Sequence, residues 1–508
     1  MFQYEKNETQ YGSQYSVLNY LGSYFKGDCL RKIALVGLNE ITKLSEIEAL
    51  VKSNANAILF IVPKGPYPKI FNELISQIQV FLSQQTIYLP VYFAYETDEL
   101  KTLYNQLKDE YEKEKRGEKK PTNVNTRKTF MEYINIKETY LHFSLNIKEP
   151  KLKKKLNLEN IYGFLEAPSQ TGTPNPIIAI VAHYDSLGVI SDLPQGVDSN
   201  GSGIIILLEL IRILSKLYEN YESMLKYDIL FVLTSAGNEN FKGTDIFLNN
   251  LDPSVSENLQ YVLCLDSLGA LGEDNNLYLH LSRYPREYEV TPNKLYNIFN
   301  LTSKNMGIEL NYVKKKVFLT EDFVPWEHEQ FSKRKIISAT LSNLDKPYEN
   351  IFTRNLLTDV DMNLNRVKLN IKFIAESLLK FLFDFDNTKY NIFKEDETLV
   401  DEKNVESMSN YLKKTSRFPL AIERGSKFNN DLFNYFNSYL QKAKRDSFEF
   451  NDYNFYENNS GDIKVYMVKS KIIDLYLLFA ILVYLFGIFV YIKGFKGALR
   501  DIKSGLSE

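Results

Sequence analysis

The chain has 508 residues, 44% hydrophobic and 25% charged, with a formal net charge of −3. That length implies two or three domains and that balance a globular protein with a large core; it excludes a strongly basic surface, so no direct nucleic-acid binding is expected. The two cysteines, Cys29 and Cys264, exclude a disulfide-dense scaffold while leaving a single bridge open.

In chain order, the opening MFQYEKNETQYGSQY is polar, with no apolar core behind a basic end, and does not read as a signal peptide. KIALVGL (32–38), NAILFIVP (56–63) and LPVYFAYE (89–96) read as buried strands, separated by helices over 46–53 and 70–82. The stretch 101–125 reads as a charged helix running into a loop. Its lysine-rich part, like KLKKK at 151–155, reads as solvated surface.

A second α/β block begins near Ile161. NPIIAIVAHYD (175–185) is a strand with a polar end. The turn SDLPQGVDSNGSG and an apolar helix over 204–218 follow it. YDILFVLTSAG (227–237), QYVLCLDSLG (260–269), LYLHLSR (277–283) and KIISATLS (335–342) are further strands, and Cys264 is expected there as a buried free thiol. Strand, loop, helix, strand is the pattern of a mainly parallel sheet with helices on both faces and its function at the carboxyl ends of the strands.

Residues 398–450 read as polar and helical. LYLLFAILVYLFGIFVYI (475–492) has no charge and is long enough, with Ile472 and Ile473, to cross a bilayer as a helix. The expected division is an N-terminal α/β region over 1–150, a second α/β domain over 151–397, a helical juxtamembrane region over 398–471, a transmembrane helix over 472–492 and a tail over 493–508. Four N-glycosylation sequons, Asn7, Asn200, Asn300 and Asn458, all precede the span. That suggests a luminal body and a cytosolic carboxyl end, with Asn200 at the mouth of the candidate cleft.

The motifs AHYDS (182–186), DSNGSG (198–203), FVLTSAGNENFKGT (231–244), LDSLG (265–269) and EDFVPWE (321–327) occur in this order at strand ends. In that order the block resembles the M28 family of zinc aminopeptidases, whose fold nicastrin shares. The resemblance implies a site of two zinc ions, activating a water, with a carboxylate as general base. His183 matches the first ligand, Asp185 the carboxylate that orients its ring, and Asp266 a later carboxylate ligand. The other positions fail. Ser199 stands where the family has its bridging aspartate, with Asp198 one place early. Gly237 and Asn238 stand where it has two adjacent glutamates, and Glu239 falls one residue late. The last family ligand is a histidine after the final strand, yet 343–358 contains none. Only His142, His183, His280 and His328 exist in the whole chain.

Within that family the chain resembles the nicalins, through QYGSQYSVLN near the start, the serine of DSNGSG, the degenerate FVLTSAGNENFKGT, and LTEDFVPWEHEQF (319–331). Nicalins carry an apolar signal segment ahead of the matching region. The resemblance implies a non-catalytic, metal-free, cofactor-free protein of the endoplasmic reticulum membrane. It also implies partners: the Nodal modulator protein and a small multi-pass membrane protein, in a complex that joins the ribosome-bound translocon during biogenesis of multi-pass membrane proteins. Links to Nodal signalling and receptor assembly belong to the same implication. The alternative is an active zinc aminopeptidase with a rearranged site using His183, Asp198, Glu239 and Asp266. In the non-catalytic reading Asp266 is buried and structural, and its expected partners are the amides of the DSNGSG turn and the His183 ring.

Overall fold

Three of the apolar runs form neighbouring parallel strands, Asp228–Thr234, Ile177–His183 and Leu259–Leu265, with Ser338–Ser342 parallel beside the last. A strand covered on both faces has no polar side to present, so these segments are almost uniformly apolar. In this computed structural model the described residues are 1–508 without 2, 14, 16, 54, 66, 117–138, 146–149, 170–171, 222–223, 273, 322, 385–398, 458–460, 470–471 and 506–508. The sheet has eight strands, in the spatial order Glu309–Lys314, Asn276–Leu281, Ser338–Ser342, Leu259–Leu265, Ile177–His183, Asp228–Thr234, Leu156–Leu165 and Gln441–Phe450. Its centre is parallel and its flanks contain antiparallel pairs.

Alternation along the Ile177–His183 strand sorts its side chains between two faces. Ile178, Ile180 and Ala182 join the large core that contains the helix Gly201–Asn220. Ile177, Ala179 and Val181 pack on the other side with Phe247 and Phe331, from the helices Lys242–Asn250 and His328–Lys333. The fold class is therefore α/β, with helices on both faces. Ile205, Ile206, Leu207, Leu210, Ile211 and Leu214 of the long helix are fully enclosed, each contributing about 1.5–3 kcal/mol of burial.

One expectation is corrected at the carboxyl end of this body. Residues 398–450 hold the helices Glu402–Leu412 and Lys427–Tyr439, but Gln441–Phe450 is a ten-residue strand. It pairs antiparallel with Leu156–Leu165 and forms the sheet's outer edge. Charged, lysine-bearing QKAKRDSFEF conceals a strand because an edge is partly wet and charge there discourages pairing with another chain. The polar opening is also extended. Gln3–Lys6 and Thr9–Ser13 form a hairpin that joins Asn454–Tyr456, Leu152–Lys153 and Thr86–Ile87 in a small sheet.

These pairings make the two compact units interleave along the chain. One comprises Met1–Gln14, Gly65–Ile87 and Glu149–Asn459; the other comprises Tyr15–Lys64, Tyr88–Lys148 and Ser460–Glu508. The contiguous boundary drawn at 150 does not describe this division, because the amino-terminal hairpin and the helix Lys69–Ser83 fall within the larger unit. The smaller unit has a six-stranded sheet ordered Lys464–Lys469, Thr139–Leu145, Leu18–Tyr24, Ile33–Gly37, Ala57–Val62 and Val91–Tyr95, with the helices Leu44–Val51 and Asp98–Lys115.

The helix Ile472–Gly505 contains Asp474–Ile492, nineteen residues of mean hydropathy 2.6 with none of the stretch buried. This is long and apolar enough to cross a membrane. At Gly494 the backbone leaves the helix, with φ 65° and ψ 154°, a conformation that glycine adopts without a Cβ penalty. The expected tail thus begins at a break and continues helically to Gly505.

Candidate functional site

The parallel strands deliver their carboxyl ends to one edge of the sheet, where the motif residues gather. His183 closes its strand and is 2% exposed. Among the described residues its Nδ1 has no hydrogen-bond partner; it lies 4.0 Å from Glu327 Oε2, while Phe241 packs edge-on at 5.3 Å. Burial, and then the nearby charges of Arg354 and Arg417, push its pKa well below the usual histidine value, so the ring is neutral. Gly237 explains how it fits. A Cβ placed there would lie 2.4 Å from His183 Cδ2, closer than packed carbons approach. The position that the family resemblance assigns to a glutamate is thus filled by the histidine ring.

Asp185 does not serve as that ring's orienting partner. One of its carboxylate oxygens accepts the Gly237 amide at 2.6 Å; the other accepts the Asn238 amide at 3.2 Å and the Asn238 side chain at 3.1 Å. It pins the turn that follows Asp228–Thr234. Glu239 lies beyond this turn and lines a cleft of about 580 Å³ with Lys6, Lys242, Asp452 and Tyr453.

The DSNGSG turn is held just as fully. Asp198 accepts the Gly269 amide at 2.6 Å and the Ser267 hydroxyl at 3.1 Å. Asp359 accepts the amides of Asp198 at 2.8 Å and Ser199 at 3.0 Å. Ser199, at the family's bridging position, accepts Asn355 Nδ2 at 2.6 Å. Asn200 is fully buried and its Nδ2 donates to the Asp185 carbonyl, so the nitrogen a glycan would need points inward. Asn200 is corrected from a sequon at the cleft mouth to an internal strut. Asn7 is exposed and Asn300 half-buried; Asn458 lies outside the described residues.

Asp266 differs from its expected surroundings. It is 2% exposed, and among the described residues neither carboxylate oxygen has a hydrogen-bond partner. The turn amides go to Asp359, and the nearest cation is Arg354, with Nη1 at 3.8 Å from Asp266 Oδ2. Burial drives the Asp266 carboxyl well up and the guanidinium opposes that shift. Glu327 is equally enclosed. Its Oε1 accepts the hydroxyls of Thr234 at 2.7 Å and Thr244 at 2.6 Å.

Burial lifts the Glu327 pKa from 4.5 to about 7, with the threonine hydroxyls opposing. A carboxyl raised on folding stabilises the folded state fully below its unfolded value. That contribution disappears as pH rises through the folded one. Glu327→Gln keeps an acceptor for both threonines and cannot ionise. It should flatten the decline in melting temperature between about pH 5 and pH 8, and a decline parallel to wild type would contradict this placement.

Among the described residues no group of three histidine, cysteine, aspartate or glutamate side chains is placed to hold a metal ion. The family's zinc pair does not fit the residues present, since a hydroxyl bound by Asn355 holds the bridging position and a guanidinium lies beside Asp266. His183, Asp198, Glu239 and Asp266, the set of the rearranged-enzyme alternative, do not converge: Asp198 is bound into its turn and Glu239 lines the cleft described above. Sequence reasoning did not identify Arg354, Asp359, Asn355 or Arg417, and quoted Glu327 only within a motif. Arg354 lies within the segment 343–358, where the signal sought was a histidine.

Residues 160–351 match the model for peptidase family M28. A Danio rerio protein named BOS complex subunit ncln is 27% identical over 97% of this chain and 89% of its own length. The Homo sapiens BOS complex subunit NCLN is 26% identical over 96% and 86%. A Caenorhabditis elegans protein named nicalin is 31% identical over 47% of this chain and 44% of its own length. The chain is thus similar to these relatives, to the first two over nearly its whole length. The crystal structure of nicastrin, the γ-secretase component, superposes with a TM-score of 0.60 at 10% identity, covering 92% of this chain and 98% of nicastrin. The chain has the M28 aminopeptidase-like fold that nicastrin also has, with one candidate membrane helix among the described residues, near the carboxyl end.

Proposed function

We propose that this chain is a non-catalytic scaffold of the endoplasmic reticulum membrane, acting as one subunit of a complex like that for which its relatives are named. The observation that carries this reading is the filling of the metal site: His183 occupies the space beside Gly237, Asn355 binds Ser199, and Arg354 lies against Asp266. A site that activates water on zinc needs open coordination positions and several anionic or imidazole ligands. Here those groups are engaged with one another or replaced. Elemental analysis of full-length protein purified without chelator should find well under one zinc per chain. One or two zinc ions per chain would overturn the reading.

The finer part of the proposal follows the nicalin resemblance. The partners are the Nodal modulator protein and a small multi-pass membrane protein. The complex joins the ribosome-bound translocon during insertion of multi-pass proteins, with the roles in Nodal signalling and receptor assembly attached to it. The body over 1–471 is luminal, with Asn7, Asn300 and Asn458 as the candidate glycosylation sites, and residues 493–508 are cytosolic. In sealed microsomes, added protease should remove only the carboxyl-terminal tail. Digestion of the body with protection of the tail would reverse the orientation.

A further inference from the structure

Arg354 is a buried cation with a particular set of neighbours. Its side chain is 1% exposed. The guanidinium carbon lies 4.4 Å from the Phe241 ring centre, 5.1 Å from Tyr348 and 5.6 Å from Phe323. Nη2 donates to the Val324 carbonyl at 2.7 Å, while Nε and Nη1 have no hydrogen-bond partner among the described residues. The charged groups acting on it are Asp266, Asp185 and Glu327, with the Tyr348 hydroxyl beside them. Asp266 and Glu327 each present an oxygen without a hydrogen bond, and the unpartnered His183 Nδ1 faces the latter. The groups around Arg354 thus include all three matched family-site positions, His183, Asp185 and Asp266.

An arginine remains charged at all ordinary pH values, and a buried charge requires a counter-charge or an aromatic face. Arg354 has both. Conversely, carboxyls left behind in a dry site when a metal is lost are driven toward their neutral forms by burial and by one another unless a cation opposes the shift, as Arg354 does for Asp266 at 3.8 Å. We propose that the Arg354 guanidinium is the resident cation of this site, supplying from within the chain the positive charge that zinc supplies in M28 enzymes and pairing with Asp266 in its absence. The assignment rests on the loss of the metal site. It adds that the loss is compensated by a fixed cation, so that the degenerate site acts as a structural centre of the larger unit.

The test uses the full chain in detergent and its single tryptophan. Trp326 is buried next to Glu327 and stacked on His280 at 4.4 Å, so its fluorescence reports melting of this region. Arg354→Met and Asp266→Asn should each lower the midpoint by roughly 5–10 °C. The double variant should lose clearly less than the sum, because each single variant leaves the other partner uncompensated. Arg354→Lys, which keeps the charge, should lose less than Arg354→Met. If Arg354→Met does not fold alone, addition of Asp266→Asn should restore folded protein. Additive losses, equal losses for lysine and methionine, or no recovery in the double variant would each overturn the assignment. Zinc analysis of the same preparations separates the two readings: wild-type protein without zinc but with additive variants refutes only the role of Arg354.

Discussion

Gly237→Glu, which returns the family's residue type to its position, is expected to abolish stable folding rather than restore a peptidase. The first carbon of any side chain there would sit 2.4 Å from His183 Cδ2, and the ring is held between Gly237 and Phe241. Overpacking of this kind costs about 1–3 kcal/mol. The carboxylate then adds a buried charge beside Asp185, itself already raised above the usual aspartate range by burial. An unpaired buried charge costs several kcal/mol more. The sum, on the order of 5 kcal/mol, is comparable with the whole margin of many domains. Gly237→Ala carries the steric part alone and should fall between the two. Folded yield and the Trp326 melting midpoint measure both. A Gly237→Glu protein that melted like wild type would mean that the ring has room to withdraw, and the site could not then be called filled.

Arg417→Met is expected to destabilise the larger unit by about 3–5 kcal/mol. Arg417 is fully buried and donates to the carbonyls of Gln195 at 3.1 Å, Gly196 and Tyr184 at 3.5 Å. It fastens both ends of the loop between the Ile177–His183 strand and the long helix. Burial pulls its pKa down to about 10, with Asp359 and Asp185 opposing, so it is charged at neutral pH and faces both carboxylates. Methionine matches much of its length and fills the space, but leaves the carbonyls without donors and the carboxylates without that charge. The loop at 187–196 should become the first site of protease cleavage as the midpoint falls. An unchanged midpoint and cleavage pattern would show that neighbouring groups already satisfy those carbonyls.

The sequence by itself determined the parts of this protein that depend on residue type and local pattern. Apolar runs at 177–183, 228–234 and 259–265 had to be covered on both faces, and that is how they lie. An uncharged stretch at 475–492 had to find apolar surroundings, and none of it is buried in the body. The replaced donors were legible too, because serine, glycine and asparagine stand where the family resemblance expects carboxylates. Tertiary structure decided what occupies that site. The contacts of Arg354 with Asp266, Asp359 with Ser199, Asn355 with Ser199 and Arg417 with Tyr184 span 88 to 233 residues of sequence, and no periodicity marks an arginine that will be buried. The partner assigned to Asp266 was therefore wrong: the turn amides had gone to Asp359 through a contact invisible in one dimension. The same holds for Asn200, whose sequon is a local pattern while its burial is not, and for Gln441–Phe450, whose edge position lets it be charged. Covalent order fixes which side chains can follow one another. Which distant charges must neutralise each other is fixed only when folding removes the water between them.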